Sequence, residues 1–172
     1  MMKYDLPIIA KAVRIAVLAL LFLAIGCQQQ DASQELKPIS KVFTEAWNTG
    51  NLDPLDDIID PQFVMLEGSD TSAVGLDSLK QVITAIRTTY PDFHITVDEA
   101  IYIGDKGASR WSITATNTGP GDIPPTGKQV TVTGISFVRF ANGKIVEQRV
   151  EYNVLSWVLQ LGYTLTPPPG PE

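Results

Sequence analysis

The spacing of the apolar residues changes near residue 93 of this 172-residue chain, and this change limits the folds that the chain can adopt. Before residue 93, apolar residues recur every three or four positions, which is the period of a helix with one buried face. After it they alternate with polar residues, which is the period of a half-buried strand. The sequence therefore predicts an α+β fold, with helices followed by an antiparallel sheet.

Three helices are predicted in the first half of the chain. The first ends at Gly50, because glycine readily takes the left-handed conformation that follows a helix. Asp53 and Pro54 open a short second helix, and Pro91 ends the third. The residues that these helices would bury are Ile39, Val42, Phe43, Ala46 and Trp47 in the first, Leu55, Ile58 and Ile59 in the second, and Leu79, Val82, Ile83, Ile86 and Tyr90 in the third.

Two β-hairpins are predicted in the second half. Gly104-Asp105 turns the first, and Asn142-Gly143 turns the second, because this pair suits the two positive φ angles of a type I′ turn. The strands are residues 93–103 and 110–118 in the first hairpin, and residues 129–140 and 144–152 in the second. The sheet must curl over the helices to cover their apolar faces, which gives the domain the shape of a cone.

Residues 1–26 have the pattern of a signal peptide. Lys3, Lys11 and Arg14 give a basic region, and the twelve residues 15–26 carry no charge. As a helix, this uncharged run would be roughly 18 Å long, which is too short for a bilayer core of about 30 Å. We therefore expect a cleaved signal peptide and not a transmembrane helix.

The run ends in Leu23-Ala24-Ile25-Gly26-Cys27, which resembles a bacterial lipobox. The resemblance implies that the mature protein begins at Cys27 and is anchored in the bacterial cell envelope by lipid on this thiol. Gln28 is not the aspartate associated with retention at the inner membrane, so the outer membrane is the expected location in a Gram-negative cell. Ordinary secretion with a free thiol at Cys27 is the alternative.

The mature chain is predicted to hold one domain between two polar ends. Residues 27–37 form a polar tether without an aromatic or β-branched side chain, and residues 164–172 form a proline-rich tail. The domain between them, residues 38–163, is long enough to bury a core without disulfide bonds.

Charge and composition exclude several classes of function. The chain has 13 basic and 19 acidic residues and a formal net charge of −6. It therefore offers no basic surface for phosphates, and we expect no nucleic-acid partner. One cysteine and one histidine cannot form an intrachain disulfide or a Cys/His zinc site, so we expect no bound metal of that kind.

Five segments of the chain share a pattern with a known family. They are residues 45–53 (EAWNTGNLD), 75–80 (GLDSLK), 123–128 (IPPTGK), 139–147 (RFANGKIVE) and 159–162 (LQLG). In these segments the chain resembles the SnoaL-like polyketide cyclases, or ester cyclases, which have a cone-shaped nuclear transport factor 2-like fold. The resemblance implies acid/base chemistry inside the cone, without a metal ion or cofactor.

The resemblance also places the family's proton-transfer residues at three positions. The aspartate near the end of the last strand falls on Asn153, and two histidines fall on Asn117 and Leu66. Neither an amide nor a leucine accepts a proton near neutral pH, whereas cyclisation needs a base. The sequence therefore predicts that the inherited chemistry is lost and that the pocket is kept.

Two glutamates on the last strand are the replacement bases. Alternation places Glu147, Arg149 and Glu151 on the same face as Asn153, and therefore inside the cone if Asn153 lies there. Glu151 is then the better base and Glu147 the second. In the other interpretation, the three charged residues form a salt-bridged ladder on an exposed or dimeric face of the sheet.

Three hypotheses about function follow. The cone binds a small, largely apolar molecule, or it holds a cyclase-like enzyme with Glu151 or Glu147 as base, or it is a filled scaffold whose sheet face forms a homodimer. In the first two, the amides of Asn117 and Asn153 supply hydrogen bonds. The expected ligand contacts are Trp47, Trp111, Ile113 and Arg149, of which the two tryptophans equally suit a core.

Overall fold

The computed structural model describes residues 32–167. The predicted signal peptide, Cys27 and residues 168–172 lie outside the described residues. In the part of the chain that is described, no helix is long and apolar enough to cross a membrane.

Helices and strands follow each other in an α+β order. The elements are α1 (Ser33–Thr49), α2 (Leu55–Ile58), β1 (Ile59–Glu67), β2 (Asp70–Val74), α3 (Gly75–Thr89), β3 (His94–Ile103), β4 (Lys106–Thr116), β5 (Gln129–Ala141), β6 (Lys144–Tyr152) and α4 (Val154–Gln160). The predicted α+β class is confirmed, and helices pack in a curved sheet.

Helix α1 begins before the predicted start of the domain. It covers residues 33–37, which the polar composition assigned to a tether. Leu36 is the reason: it lies seven positions before Phe43, falls on the same helical face and is 8% exposed. The helix ends as predicted, because Gly50 takes a φ of 75° and donates its N–H to the carbonyl of Ala46.

The sequence predicted only helices in the first half of the chain. This prediction is wrong, because β1 and β2 lie within that half. The sheet order is β2-β1-β6-β5-β4-β3. Pairing is antiparallel throughout except between β1 and β6, which run parallel. The predicted antiparallel sheet is therefore mixed at this one junction, which joins the two halves of the chain.

Both predicted hairpins are present. Strands β3 and β4 pair from His94–Thr114 to Ile103–Lys106, with a bulge between Val97 and Glu99. The second hairpin turns at Asn142 and Gly143, whose φ angles of 51° and 73° confirm the predicted turn. The buried face of β4 carries Trp111, Ile113 and Ala115.

Two side chains fix the carboxyl end of α1 against its neighbours. The Asn48 amide donates to the carbonyl of Ile95 (2.9 Å) and accepts from its N–H (2.7 Å), as a neighbouring strand would. The Arg87 guanidinium donates to the carbonyls of Trp47, Asn48 and Phe93. Strand β3, one of the two edge strands of the sheet, is thus held to α1.

Candidate functional site

The inner face of the sheet and helices α1, α3 and α4 line an open cavity of about 1650 Å³. Common small-molecule sites measure about 300–1,000 Å³, so a drug-sized ligand fits here. The cavity's aromatic residues are Phe43, Trp47, Tyr90, Phe93, Tyr102, Trp111, Tyr152 and Trp157. A cone filled with side chains, on which the scaffold hypothesis depended, is not what the structure has.

Three of the expected ligand contacts line this cavity: Trp47, Trp111 and Ile113. They also belong to the packed wall, since the Trp47 ring lies 5.8 Å from that of Phe93. Both interpretations of the tryptophans therefore hold at once: each packs against neighbouring apolar residues and also borders the cavity.

Trp111 lies against the sheet because the facing residue on β5 is Gly134. A methyl group at Gly134 would overlap the six-membered ring of Trp111 and would lie 2.7 Å from the carbonyl of Glu151. The missing side chain thus gives the indole its place on the cavity wall.

A buried polar cluster interrupts the apolar wall. Trp111 Nε1 donates to Ser136 Oγ (2.9 Å), and Gln148 Nε2 donates to the same oxygen (3.3 Å). Ser136 and Gln148 are 6% and 8% exposed and both border the cavity. Among the described residues, Gln148 Oε1 has no hydrogen-bond partner. The serine hydroxyl can still donate and the glutamine oxygen can still accept, so the cluster suits a ligand oxygen.

The cavity also contains a carboxylate that the sequence analysis missed. Glu67 ends β1 and lines the cavity. The residue as a whole is exposed, but the neighbouring protein atoms partly desolvate its carboxyl group and raise its pKa. The sequence does hold a signal for it, since Phe63, Met65 and Glu67 are spaced two residues apart and share one face of a strand. The first two are buried, so Glu67 also points inward.

Tyr152 lies near Glu67 on the neighbouring strand β6 and borders the same cavity. Burial raises the pKa of its hydroxyl, and the charges of Glu67 and Tyr90 raise it further. Its ring lies 6.4 Å from that of Trp111 and 6.1 Å from that of Trp157. Tyr152 therefore keeps its proton and remains a hydrogen-bond donor at neutral pH.

The prediction that Asn153 faces the cone is wrong. Strand β6 ends at Tyr152, so strand alternation does not extend to Asn153. The residue is exposed, and its Oδ1 accepts the backbone N–H of Ser156 (2.8 Å), which caps α4. The position that the family resemblance assigned to an acid thus holds a structural amide.

Glu147, Arg149 and Glu151 also lie outside the cavity, contrary to the prediction that made them bases or ligand contacts. After Ile145, near the start of β6, the cavity-lining residues of the strand are Gln148, Val150 and Tyr152, which is the opposite phase to Glu147, Arg149 and Glu151. Arg149 Nε lies 2.8 Å from a Glu147 carboxylate oxygen, and Glu151 is exposed. For Glu147 and Arg149 the alternative interpretation, an ion-paired outer face, is confirmed.

Asn117 is fully buried but does not border the cavity. Its Oδ1 accepts the N–H of Thr126 (2.7 Å), and its backbone bonds to Gly127 and Lys128. Its Nδ2 has no partner among the described residues. Asn117 therefore anchors the glycine- and proline-rich loop before β5. Leu66, the third position that the family resemblance marked, is half-buried on β1.

Comparison with known proteins agrees with this geometry. Residues 38–161 match the family described as SnoaL-like polyketide cyclase. No curated protein is detectably similar in sequence.

Solved structures share the fold. TsrD from Streptomyces laurentii is 23% identical over 75% of this chain and 96% of its own, with a TM-score of 0.68. A Jannaschia Sp. CCS1 protein is 19% identical, over 81% and 99% of the two chains, with a TM-score of 0.71. A SnoaL-like polyketide cyclase from Agrobacterium tumefaciens is 19% identical, over 74% and 98%, with a TM-score of 0.62.

At these identities the solved structures establish the nuclear transport factor 2-like fold. The family match covers most of the chain and includes α1 from residue 38 onward and all the later described strands and helices that border the cavity. The chain belongs to the SnoaL-like polyketide cyclase family.

Proposed function

We propose that the domain binds a small, largely apolar, polyketide-like molecule that carries a carbonyl or hydroxyl oxygen. The observation that supports this most is the open cavity with a buried Trp111–Ser136–Gln148 cluster in its apolar wall. The ligand class follows from the names of the matching family and of its solved relatives.

The energetic basis is burial of apolar surface together with a few oriented polar contacts. Each square ångström of apolar ligand surface removed from water stabilises the complex by about 25 cal/mol before the costs of association. The unsatisfied oxygen of Gln148 favours a ligand that donates a hydrogen bond, because a buried acceptor without a partner destabilises the empty site.

Binding is proposed ahead of cyclisation by the last-strand glutamates. Glu151 and Glu147 lie on the outer face of the sheet, and a general base must come within about 3 Å of the proton that it removes. The geometry therefore gives no support to either glutamate as the base.

The proposal includes attachment to the bacterial envelope through a lipid on Cys27, at the outer membrane in a Gram-negative cell. The basic region, the uncharged run and the small residue before Cys27 support it. No metal ion or cofactor is part of the proposed function.

A homodimer through the outer face of the sheet is also proposed. Ile101, Ile135 and Phe137 are about half exposed there, at 57%, 57% and 45%. The face also carries the ion-paired Glu147 and Arg149, so a two-fold axis can bring opposite charges together. We expect a dimer in sedimentation velocity and a monomer for Phe137→Glu; a wild-type monomer at micromolar concentration would contradict the proposal.

Ligand binding is tested by a thermal-shift screen of polyketide-like, steroid-like and fatty acyl compounds. A molecule that binds only the folded state raises the melting temperature. For an oxygen-bearing hit, Ser136→Ala should lower affinity by about fivefold to tenfold, since one hydrogen bond contributes about 1 kcal/mol. The control is Thr133→Ala, an exposed residue on the same strand.

Two results would contradict the binding proposal. One is a screen in which no compound raises the melting temperature. The other is a hit whose affinity Ser136→Ala and Thr133→Ala change equally, because that ligand would not contact the polar cluster.

A further inference from the structure

We infer that Glu67, Ser136 and Tyr152 form a proton-transfer site on the cavity wall, at which Glu67 removes a proton from the carbon beside a ligand carbonyl. The inference rests on the proposed function, because it needs a carbonyl-bearing ligand in the cavity. The carboxylate that it makes the base, Glu67, is at a different position from the three that the family resemblance marked.

Glu67 reaches the cavity because it is in phase with Phe63 and Met65, which are 0% and 1% exposed. The strand passes from the core to the cavity wall along this face, so the next inward side chain meets the ligand space. Within the described residues, no hydrogen bond or ion pair engages the Glu67 carboxylate. It is therefore available to a ligand.

The pairing of three adjacent strands sets the distance between Glu67 and Ser136, and this distance suits one ligand that contacts both. Glu67 on β1 pairs with Val150 on β6, which pairs with Ser136 on β5. Two strand spacings separate the backbones of Glu67 and Ser136 by roughly 10 Å. If a ligand carbonyl accepts a hydrogen bond from Ser136 and the carbon beside it lies within reach of Glu67, the Ser136 hydroxyl oxygen and the Glu67 carboxylate oxygen are about 8–9 Å apart. Val150 supplies the apolar floor between them.

Tyr152 adds a second donor beside the base. It lies two residues beyond Val150 on the same face of β6, diagonal to Glu67. No hydrogen bond of its hydroxyl group to a described residue is present. The raised pKa of Tyr152 keeps the hydroxyl protonated, so it can donate to the developing enolate.

The other charged residues at the cavity are either paired with an opposite charge or lie outside the strands of the sheet. Asp98 and Glu99 on β3 face Arg110, at 2.9 Å and 4.0 Å. Glu45 lies 3.7 Å from Lys41 on α1. The other charged cavity residues are Lys37 at the start of α1 and Asp122 in the exposed loop before β5. Burial raises the pKa of Glu67, which strengthens it as a proton acceptor.

The proposed step balances without a co-reactant. The C–H bond breaks, the proton moves to a Glu67 oxygen, and the electron pair forms a C=C bond as the carbonyl oxygen becomes an enolate held by Ser136 and Tyr152. Glu67 then returns the proton to the same carbon, or to another carbon of the ligand. If the enolate carbon first attacks a second carbonyl, the proton goes to the new alkoxide and a ring is closed.

The test uses α-tetralone, an apolar bicyclic ketone, as the probe. We expect the protein to accelerate exchange of the protons beside its carbonyl in D₂O, followed by NMR. Glu67→Gln should lower this acceleration by roughly a hundredfold to ten-thousandfold, the usual effect of a positioned base. Glu151→Gln, which changes the same group on the outer face, should leave it unchanged.

Binding of the probe is measured in parallel by thermal shift, which separates the two proposals. If wild type and Glu67→Gln both bind α-tetralone and only wild type accelerates exchange, the inference is supported. Binding without acceleration, or equal acceleration by wild type and Glu67→Gln, overturns the inference and leaves the binding proposal standing. If α-tetralone and every compound of the screen fail to bind, the binding proposal falls and the inference with it.

A stability measurement checks the Glu67 environment without any ligand. The folded-state pKa of Glu67 is raised, so its contribution to stability is fully present below its ordinary pKa and is lost as pH rises through the folded-state pKa. Relative to Glu67→Gln, wild type should therefore become less stable across that interval. Parallel stability curves for the two proteins would overturn the inference, because Glu67 would then be an ordinary solvated glutamate.

Discussion

Asn153 shows how one position can keep its place in the chain and change its role. The amide caps α4 through the N–H of Ser156, and the side chain is exposed. A helix cap needs an accepting oxygen, which asparagine and aspartate both supply. The residue at this position is therefore explained by the start of α4 and not by the cavity.

We expect Asn153→Ala to lower the free energy of unfolding by about 1 kcal/mol, because the N–H of Ser156 loses its acceptor. Asn153→Asp should match wild type to within a few tenths of a kcal/mol above pH 5, where the carboxylate is ionised and accepts the same bond. Thermal unfolding of the three proteins measures both effects. An Asn153→Asp protein that loses stability steadily as pH rises would instead place this residue in a buried site.

At the residue scale, the sequence predicted the buried aromatic wall better than the polar site. Trp111 and Ile113 were assigned correctly because strong alternation fixes their face. Glu67 was missed because β1 itself was not predicted. The opposite error occurred at Glu151, where one wrongly placed neighbour, Asn153, set the phase of the whole strand.

At the scale of elements, β5 and β4 depend on each other through one missing side chain. Gly134 lies directly opposite Trp111, whose ring occupies the space above it. The indole in turn donates to Ser136, two residues farther along β5. The placement of the polar cluster therefore follows from a glycine that local strand propensity disfavours.

Gly134→Ala should lower the free energy of unfolding by about 1–3 kcal/mol, the usual cost of overpacking, and should also weaken ligand binding. The added methyl group meets both the Trp111 ring and the Glu151 carbonyl. Chemical denaturation with and without Trp111→Leu measures how the cost divides. In that background the loss should shrink; an unchanged loss would mean that the Trp111 ring does not occupy the space above Gly134.

Element boundaries and pairings were predicted unevenly for physical reasons. Local patterns carried the hairpins and the ends of α1 and α3, since turns and helix stops are short-range signals. The parallel β1–β6 pair joins residues about eighty positions apart, so no local pattern could indicate it. The start of α1 was missed because a single apolar residue, Leu36, outweighs a polar surrounding.

At the scale of the whole molecule, the described domain is one unit of a chain whose amino terminus carries an export pattern. The domain offers an open cavity, and the sequence before it offers a lipobox-like segment ending at Cys27. These are the two features on which the proposed function, ligand binding at a membrane surface, depends. The α+β class was predictable because it depends on the change in apolar spacing near residue 93, and not on the exact bounds of each strand.

Mass spectrometry of the protein purified from its native membranes should find Cys27 as the acylated first residue. We expect the Cys27→Ala protein to lack the acyl mass and to leave the membrane fraction, because one or more acyl chains supply the membrane affinity. The cavity variant Ser136→Ala, with the same export segment, should stay in the membrane fraction. An unmodified Cys27, or a mature terminus elsewhere, would contradict this prediction.

The pairing of Asn48 with Ile95 has a consequence for behaviour at high concentration. Strand β3 is one of the two edge strands of the sheet, and strands of other molecules can add to an open edge and build fibres. The Asn48 amide occupies both backbone groups of Ile95, and the bulge between Val97 and Glu99 breaks the regular ladder a few residues on. An incoming strand therefore finds no continuous row of free donors and acceptors along β3, and crowded copies of this domain resist strand addition at this edge.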